Sequence, residues 1–310
     1  MTNLRVGILG FGNWGKNQAR VFNEIGNLSG VYEKNLNEED KNLFSYVFFN
    51  SIEELINESD AVVICTPAQT HFELAKKCIE KLDILVEKPL ALNVAQVKEL
   101  ILLEKKFEKI IMVGHQLHFH SAVVKMKNLI KEGVIGDIKW IYSNRLNMGR
   151  IRPYENVLWS FAPHDVSLII DFVNSKIKKI QFQSTKILNA KNEDTSLTLL
   201  EFKNKIKAHI FVSWIHPFKE QRFTVVGEKG SFVFSDTEAK EKLVLFNTKI
   251  EKSGQILEHN KKIIDYEEKE PLKAQAEYFV NSLKNRKIDI NNSSHALEVI
   301  KILEKSSDKS

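Results

Sequence analysis

A glycine-rich turn near the N-terminus constrains the fold more than any other part of the chain. An apolar run, Leu4–Leu9, ends in Gly10-x-Gly12-x-x-Gly15, and the residues that follow have the pattern of a helix start. This order is typical of a dinucleotide fold: Gly10 permits the tight bend, Gly12 lets a diphosphate approach the backbone, and Gly15 lets helix and strand pack closely. The amides at the helix N-terminus would bind the phosphates.

A second apolar run supports this interpretation and bears on the choice of cofactor. Leu28–Tyr32 ends in Glu33, about 20 residues downstream, where an acidic side chain accepts hydrogen bonds from the ribose hydroxyls. A carboxylate there favours NAD over NADP because it repels a 2′-phosphate. The adjacent Lys34 weakens that preference, and a solvated acid at a strand end is the alternative interpretation of Glu33.

The first third of the chain alternates apolar strands with amphipathic helices, which predicts a parallel, doubly wound sheet. Six strands are expected, at Leu4–Leu9, Leu28–Tyr32, Val47–Phe49, Ala61–Cys65, Ile84–Glu87 and Ile110–Gly114.

Ligands of such sheets bind beyond the carboxyl ends of the strands. The residues at those ends therefore form the predicted cofactor site: Gly10, Phe11, Gly12, Asn13, Trp14, Gly15, Glu33, Thr66, Pro67, Glu87, Lys88 and His115.

The pattern changes after about residue 118. Runs between residues 138 and 234 alternate polar and apolar side chains, as antiparallel strands covered on one face do. Residues 239–270 indicate a long loop or weak hairpin, and helices follow at Pro271 and Ser294. The predicted fold class is α/β, with an N-terminal Rossmann domain over residues 1–118 and a C-terminal α+β domain with a large, mostly antiparallel sheet over residues 119–310.

Composition narrows the function classes. The net charge is only +5 over 310 residues, with lysines and acids interleaved, so nucleic acid is not an expected partner. Cys65 and Cys78 suit small core residues of a reducing compartment. Because neither a leader pattern nor a membrane-length apolar run is evident, we expect a cytoplasmic protein without membrane contact. His118 and His120 lack adjacent cysteines or acids, so no metal site is predicted.

The dinucleotide turn, the triplet Glu87-Lys88-Pro89 and the later antiparallel sheet together resemble the Gfo/Idh/MocA family of sugar and cyclitol oxidoreductases. A more specific match lies in NRLNMGRIR, residues 144–152, and NVLWSFAPHD, residues 156–165. These segments resemble the branch of the family that acts on nucleotide sugars.

The resemblance implies a nucleotide-sugar substrate and NAD as cofactor. It implies oxidation of the 3-hydroxyl of UDP-N-acetylglucosamine to a keto sugar that a pathway aminotransferase then aminates. The corresponding uronic acid, reduction of a keto-deoxysugar, or another sugar or cyclitol remain alternatives within the same class. A non-catalytic protein that senses a dinucleotide or serves as a scaffold is the alternative from another class.

The resemblance also implies two catalytic residues. Lys88 matches the family lysine, whose ammonium can hydrogen-bond the reacting hydroxyl; a surface lysine before a turn is the alternative. His164 matches the family histidine, whose imidazole can take the hydroxyl proton; a hydrogen-bonded, non-catalytic histidine is the alternative. Family members often carry an aspartate four residues earlier, where this chain has Ser160, so the orientation of His164 is open.

The predicted substrate-binding residues are Arg145, Arg150, Arg152, Trp159 and Asp165. Guanidinium groups match the oxygens of a diphosphate, although a solvated loop or an ion pair with Glu155 would also account for the arginines. Trp159 could stack on a sugar or uracil ring or belong to the core.

Antiparallel sheets of this family commonly pack face to face. The resemblance therefore implies a homo-oligomer, a dimer or a tetramer, because an exposed apolar sheet face would otherwise promote association.

Overall fold

The computed structural model describes residues 4–149, 151–152, 155–188, 191–250 and 255–307. The chain forms two compact units. The first comprises Met1–Gln116 with Glu270–Lys301, and the second comprises Leu117–Lys269 with Ile302–Ser310. Most of the two C-terminal helices cluster with the first unit, although the sequence pattern predicts one domain over residues 119–310.

A five-stranded parallel sheet forms the centre of the first unit, in the order β2-β1-β3-β4-β5. Its strands are β1 (Val6–Leu9), β2 (Leu28–Tyr32), β3 (Ala61–Ile64), β4 (Asp83–Val86) and β5 (Ile111–Val113). The connecting helices are α1 (Asn13–Glu24), α2 (Glu38–Leu43), α3 (Ile52–Asn57), α4 (Ala68–Ile79) and α5 (Val94–Phe107). The chain reverses its winding direction between β1 and β3, which is the point where such sheets bind ligands.

One of the six predicted strands is wrong. Residues 47–49 make a single parallel bridge, between Phe48 and Val31, beside β2. The aromatic ring of Phe48 packs edge-on against Phe11, with 5.5 Å between ring centroids. A short apolar run therefore follows the sheet edge for one step only and contributes side chains to an aromatic cluster.

The second unit is built on an eight-stranded sheet in the order β13-β12-β11-β10-β6-β9-β8-β7. All neighbouring strands are antiparallel except β6 and β9. Its helices are α6 (Ser121–Lys131) and α7 (Val157–Val173). Its strands are β6 (Ile138–Met148), β7 (Ile177–Thr185), β8 (Thr195–Phe202), β9 (Lys207–Ser213), β10 (Ile215–Gly227), β11 (Gly230–Ser235), β12 (Leu243–Ile250) and β13 (Ile256–Ile263). The region left as a long loop or weak hairpin thus holds the hairpin β12–β13.

One face of this sheet is covered by α7, which packs against β6, β8 and β9. Alternate strand residues lie on opposite faces. Ile141 and Ile210 lie on the face beneath α7 and are buried. Tyr142 and Leu199 lie on the opposite face and are each 39% exposed. The sheet therefore has one covered and one open face.

Two C-terminal helices, α8 (Pro271–Asn285) and α9 (Ser293–Lys305), complete the described structure. Phe279 of α8 packs on Phe22 of α1, with 6.5 Å between ring centroids. Asn291 extends the contact to β5, because its carbonyl accepts a hydrogen bond of 2.8 Å from the Val113 amide. These contacts explain why residues 270–301 join the first unit. No helix within the described ranges is long and apolar enough to cross a membrane.

Candidate functional site

The glycine turn of the first unit has the geometry of a phosphate cradle. Gly10 has φ +98°, a conformation that favours glycine. A Cβ at Gly15 would lie 1.9 Å from the Gly10 carbonyl oxygen, so α1 approaches the turn as closely as a glycine allows. A Cβ at Gly12 would meet nothing within 4 Å. The open space at Gly12, beside the first amides of α1, fits a diphosphate.

Glu33 lies at the end of β2 and is tied to this turn. Its Oε2 accepts a hydrogen bond of 2.7 Å from the Phe11 amide, and its Oε1 accepts one of 3.1 Å from the Asn35 amide. A carboxylate has about four acceptor positions, so two amide contacts leave capacity for ribose hydroxyls. The ring of Phe11 is 3% exposed, and this residue therefore faces the turn through its backbone.

The other predicted cofactor residues lie on several strand ends and loops. Asn13 and Trp14 form the exposed first turn of α1. Thr66 and Pro67 join β3 to α4. His115 follows β5, but its ring is only 2% exposed and lies 6.1 Å from the ring of His295. Cofactor contact by these residues stays a prediction.

Glu87 and Lys88 follow β4 directly. Glu87 Oε1 accepts a hydrogen bond of 2.9 Å from Gln18 Nε2 of α1, and burial raises the pKa of the Glu87 carboxyl. A Cβ at Gly114 would lie 2.9 Å from Glu87 Oε2, so a glycine there makes room for the carboxyl. Sequence reasoning missed Gln18; the only available signal was a polar side chain among the apolar positions of α1.

The second unit carries the predicted base on α7. His164 is half-buried in the middle of this helix. Pro163 precedes it and has no amide hydrogen, so it cannot bond the carbonyl of Trp159 as other helical residues would. Ser160 lies one turn before His164 and is 4% exposed. A buried hydroxyl group thus occupies the position where family members often carry an aspartate.

Arg145 and Asp165, both predicted to contact the substrate, contact each other. Arg145 Nε donates to Asp165 Oδ2 at 2.8 Å, and Nη2 donates to Oδ1 at 3.2 Å. Their side chains are 12% and 2% exposed. Burial disfavours the charged guanidinium, yet the charge and hydrogen bonds of Asp165 raise the pKa of Arg145. The pair fixes α7 on β6, and a contact of either residue with substrate stays a prediction.

The remaining predicted substrate contacts have partners within the chain or lie outside the described residues. Arg152 Nη1 donates to Glu155 Oε1 at 2.5 Å, the ion pair considered in the sequence analysis. Trp159 Nε1 donates to Ser307 Oγ at 2.8 Å, and its ring is half-buried. Arg150 lies outside the described residues.

A buried polar network that sequence reasoning missed also holds α7. His118 Nε2 lies 2.7 Å from Ser167 Oγ, and His118 Nδ1 lies 3.5 Å from Asp171 Oδ2. Although burial raises it, hydrogen bonds from His118 and Lys127 hold the pKa of Asp171 well below its usual range. The residue types match a hydrolase triad, but Ser167 is 0% exposed, so no substrate reaches its hydroxyl. The network braces α7 against α6.

His118 and His120 have different neighbours. His120 Nε2 lies 3.6 Å from Asp236 Oδ1, away from the Ser167 and Asp171 side chains that surround His118. Within the described ranges, no group of three or more histidine, cysteine or acidic side chains could hold a metal ion.

Two family models match the sequence. A model described as oxidoreductase family, NAD-binding Rossmann fold, matches residues 4–115, and one described as the GFO/IDH/MocA C-terminal domain matches residues 123–233. Together they match more than two thirds of the chain. The chain belongs to the Gfo/Idh/MocA family. Its first unit contains the NAD-binding Rossmann domain of these oxidoreductases.

Curated relatives within this family have different substrates. Myo-inositol 2-dehydrogenase of Thermotoga maritima is 26% identical over 261 residues, which are 78% of this chain and 78% of that protein. UDP-N-acetylglucosamine 3-dehydrogenase of Acidithiobacillus ferrooxidans is 26% identical over 174 residues, which are 55% of this chain and 54% of that protein. An uncharacterized oxidoreductase of Escherichia coli is 28% identical over 206 residues, 63% of this chain and 59% of that protein. The chain thus spans little more than half the length of the last two relatives.

Solved structures of the family share the fold. The structure of UDP-N-acetylglucosamine 3-dehydrogenase from Acidithiobacillus ferrooxidans matches with a TM-score of 0.87 at 19% identity, over 98% of this chain and 96% of that one. This likeness extends over both units and supports the same α/β architecture, with a parallel Rossmann sheet and a large, mostly antiparallel sheet.

Two glycine substitutions test the phosphate cradle. We expect Gly12→Ala to cost at most about 1 kcal/mol of stability, as a poorer N-cap residue, and to weaken NAD binding about tenfold or more by filling the cradle. Gly15→Ala should instead destabilise the fold by about 1–3 kcal/mol or more, because its methyl group meets the Gly10 carbonyl. Thermal unfolding and NAD titration calorimetry measure both effects. Unchanged NAD affinity in Gly12→Ala would contradict the placement of the diphosphate.

Substitution of Arg145 tests the buried ion pair. Arg145→Met leaves the Asp165 carboxylate buried and unpaired, so we expect a loss of about 3–5 kcal/mol in the free energy of unfolding. Arg152→Met is the matched control: the side chains of its ion pair with Glu155 are 43% and 17% exposed, so this pair is less buried and should be worth about 0–1 kcal/mol. Denaturant unfolding measures the free energy of unfolding of the two variants. Equal stability of both variants would show that the Arg145–Asp165 pair does not hold α7.

Proposed function

We propose that this protein is an NAD-dependent dehydrogenase that oxidises the 3-hydroxyl of UDP-N-acetylglucosamine. The choice of NAD as cofactor rests on one observation: the space at Gly12 is open, and Glu33 is hydrogen-bonded to the same glycine turn. The substrate half is supported by the nucleotide-sugar pattern of residues 144–165 and by the relative from Acidithiobacillus ferrooxidans.

Glu33 favours NAD over NADP. Its carboxylate is held by two backbone amides at the end of β2. A fixed negative charge there repels a 2′-phosphate and accepts a hydrogen bond from a 2′-hydroxyl. The adjacent Lys34 is the one feature of the local sequence that favours a phosphate.

Lys88 and His164 have separate roles in the proposed reaction. Bound NAD supplies the hydride acceptor. Lys88 donates a hydrogen bond to the oxygen of the reacting hydroxyl, which stabilises negative charge as the proton leaves. His164 accepts that proton while the carbon loses its hydride and becomes a carbonyl carbon. Proton and hydride are both accounted for, and no metal is required in this scheme.

A cyclitol dehydrogenase is the second candidate. The relative that acts on myo-inositol matches 78% of this chain, a larger share than the 55% matched by the nucleotide-sugar dehydrogenase. The catalytic roles of Lys88 and His164 would be the same for either substrate. The two candidates therefore differ in substrate only.

Turnover assays test the proposal. We expect purified protein to form NADH from NAD and UDP-N-acetylglucosamine, measured by its near-ultraviolet absorbance, with an aminotransferase present to remove the keto product. Lys88→Ala and His164→Ala should each lower kcat about 10²–10⁴-fold and retain NAD binding. Lys81→Ala and His259→Ala are matched controls at exposed positions and should retain activity.

The substrate panel separates the alternatives. Turnover of myo-inositol but not of nucleotide sugars would establish the cyclitol enzyme. Activity with the uronic acid derivative would confirm the dehydrogenase reaction and identify a different sugar as the substrate. If NAD binds but no nucleotide sugar, keto-deoxysugar or cyclitol reacts, the protein is a dinucleotide-binding sensor or scaffold instead of a dehydrogenase.

We also propose a homo-oligomer formed through the open face of the eight-stranded sheet. Tyr142 and Leu199 on this face are 39% exposed, and apolar surface of this kind favours association. Light scattering should give a mass of two or four chains for the parent protein, and Leu199→Glu should reduce it. Leu102→Glu, at an exposed position of α5, is the matched control. A parent protein with the mass of one chain would contradict the proposal.

A further inference from the structure

The two neighbours of Lys88 in the chain are each held by a buried polar side chain from a helix. Glu87 is bonded to Gln18 of α1, and the carbonyl of Pro89 is bonded to His71 of α4. Gln18 and His71 are each 1% exposed. Neither belongs to the cofactor or substrate contacts predicted from the sequence, and both lie on the nucleotide-binding unit.

His71 connects two strand-end loops. Its Nδ1 lies 2.7 Å from the Pro89 carbonyl oxygen, and its Nε2 lies 2.8 Å from the Thr66 carbonyl oxygen. Because carbonyl oxygens only accept, a hydrogen bond to each requires an N–H on each ring nitrogen. Burial and the nearby Lys88 ammonium lower the pKa of His71, although both carbonyls favour the protonated ring. The neutral ring bonds one carbonyl in each tautomer, and the protonated ring bonds both.

Gln18 connects Lys88 to the phosphate cradle. It lies on α1, whose first turn binds the diphosphate in the proposed function, and its Nε2 donates to Glu87 Oε1 at 2.9 Å. The other carboxylate oxygen lies 2.9 Å from where a Cβ of Gly114 would be. The Glu87 carboxyl therefore lies between the Gln18 amide group and Gly114.

We propose that Gln18 and His71 are positioning residues for Lys88, which they hold through its two chain neighbours. Gln18 fixes the position of Glu87 relative to the cradle, and His71 fixes the position of Pro89 relative to the loop at Thr66. The proposal rests on the catalytic role given to Lys88 under the proposed function. A displacement of about 1 Å in a reacting group can cost about 10²-fold in rate, so the two contacts matter for turnover more than for NAD affinity.

Substitutions that remove one contact at a time test the proposal. Gln18→Met keeps the length of the side chain and removes the donor, and His71→Phe keeps the ring and removes both nitrogens. We expect each to lower kcat about 10–100-fold, with the Kd for NAD from calorimetry changed less than about threefold. Glu87→Leu removes the carboxylate that Gln18 bonds and should lower kcat as Gln18→Met does.

The control is Ser293→Ala, which removes a buried hydroxyl of the same unit that bonds Glu104. It should leave kcat and NAD binding unchanged. His71→Gln keeps one donor and should lose less activity than His71→Phe. A smaller loss of activity in His71→Gln than in His71→Phe would indicate a positioning role. Thermal unfolding of each variant tests separately for misfolding.

A second readout needs NAD but no sugar. Acetic anhydride labelling, quantified by peptide mass spectrometry, measures the acetylation rate of Lys88 relative to the exposed Lys81. In the parent protein, NAD should protect Lys88 at least about threefold if the ammonium lies against the bound cofactor. In Gln18→Met and His71→Phe, NAD should still bind and the protection should be lost.

The outcomes are distinguishable. If NAD protects Lys88 equally in the parent and in both variants, and kcat is also unchanged, the positioning proposal is overturned and the role of Lys88 stands. If NAD binds the parent but leaves Lys88 unprotected, the proposed role of Lys88 fails, and the positioning proposal fails with it. Protection in the parent that both variants lose supports positioning, even where no sugar in the panel reacts.

Discussion

The close approach of α1 to the glycine turn is the constraint on which the nucleotide-binding unit depends. A single added carbon at Gly15 would lie 1.9 Å from the Gly10 carbonyl oxygen, so the helix can reach this position only because residue 15 is a glycine. From there its first amides face the open space at Gly12. The same turn bonds Glu33 through the Phe11 amide. Gln18, further along the helix, reaches Glu87 beside Lys88. One steric condition thus links the proposed phosphate cradle to Glu33, the proposed ribose contact, and to the strand end before Lys88.

The structure of the second unit depends on the contacts that hold α7 against its sheet. The Arg145–Asp165 pair bonds the helix to β6, and the His118–Ser167–Asp171 network bonds it towards α6. Both are buried and polar, which makes their geometry specific because an unpaired buried charge is costly. His164 lies on this helix without the family aspartate one turn earlier. Ser160 carries a hydroxyl group at that place, and the neighbouring Asp165 is bonded to Arg145.

Local patterns in the sequence were sufficient to predict much of the fold. The glycine turn, the apolar strands and the alternating strands of the second unit depend on neighbouring residues, and the family models confirm the resulting architecture. Residues 47–49 were wrong as a strand because a short apolar run does not reveal how many ladder bonds it makes. The C-terminal helices were expected in the other domain because the contact of α8 with α1 joins residues about 250 positions apart, as in the Arg20–Glu270 contact.

The candidate site was less predictable for the same physical reason. Glu33 and Lys88 could be selected because their places follow from strand ends. The partner of Arg145 could not, because Asp165 is 20 residues away and a guanidinium group matches the oxygens of a diphosphate equally well. Gln18 gave only the weak signal of a polar side chain among apolar helix positions, since polar helix residues are usually solvated.

The proposed function depends on hydride transfer from the sugar to NAD. Its most direct test uses UDP-N-acetylglucosamine with deuterium at C3, incubated with the protein and unlabelled NAD, and mass spectrometry of the reduced dinucleotide. We expect the deuterium to appear on the nicotinamide ring of the NADH formed. Reduced dinucleotide without deuterium, or none at all from a protein that binds NAD, would contradict it.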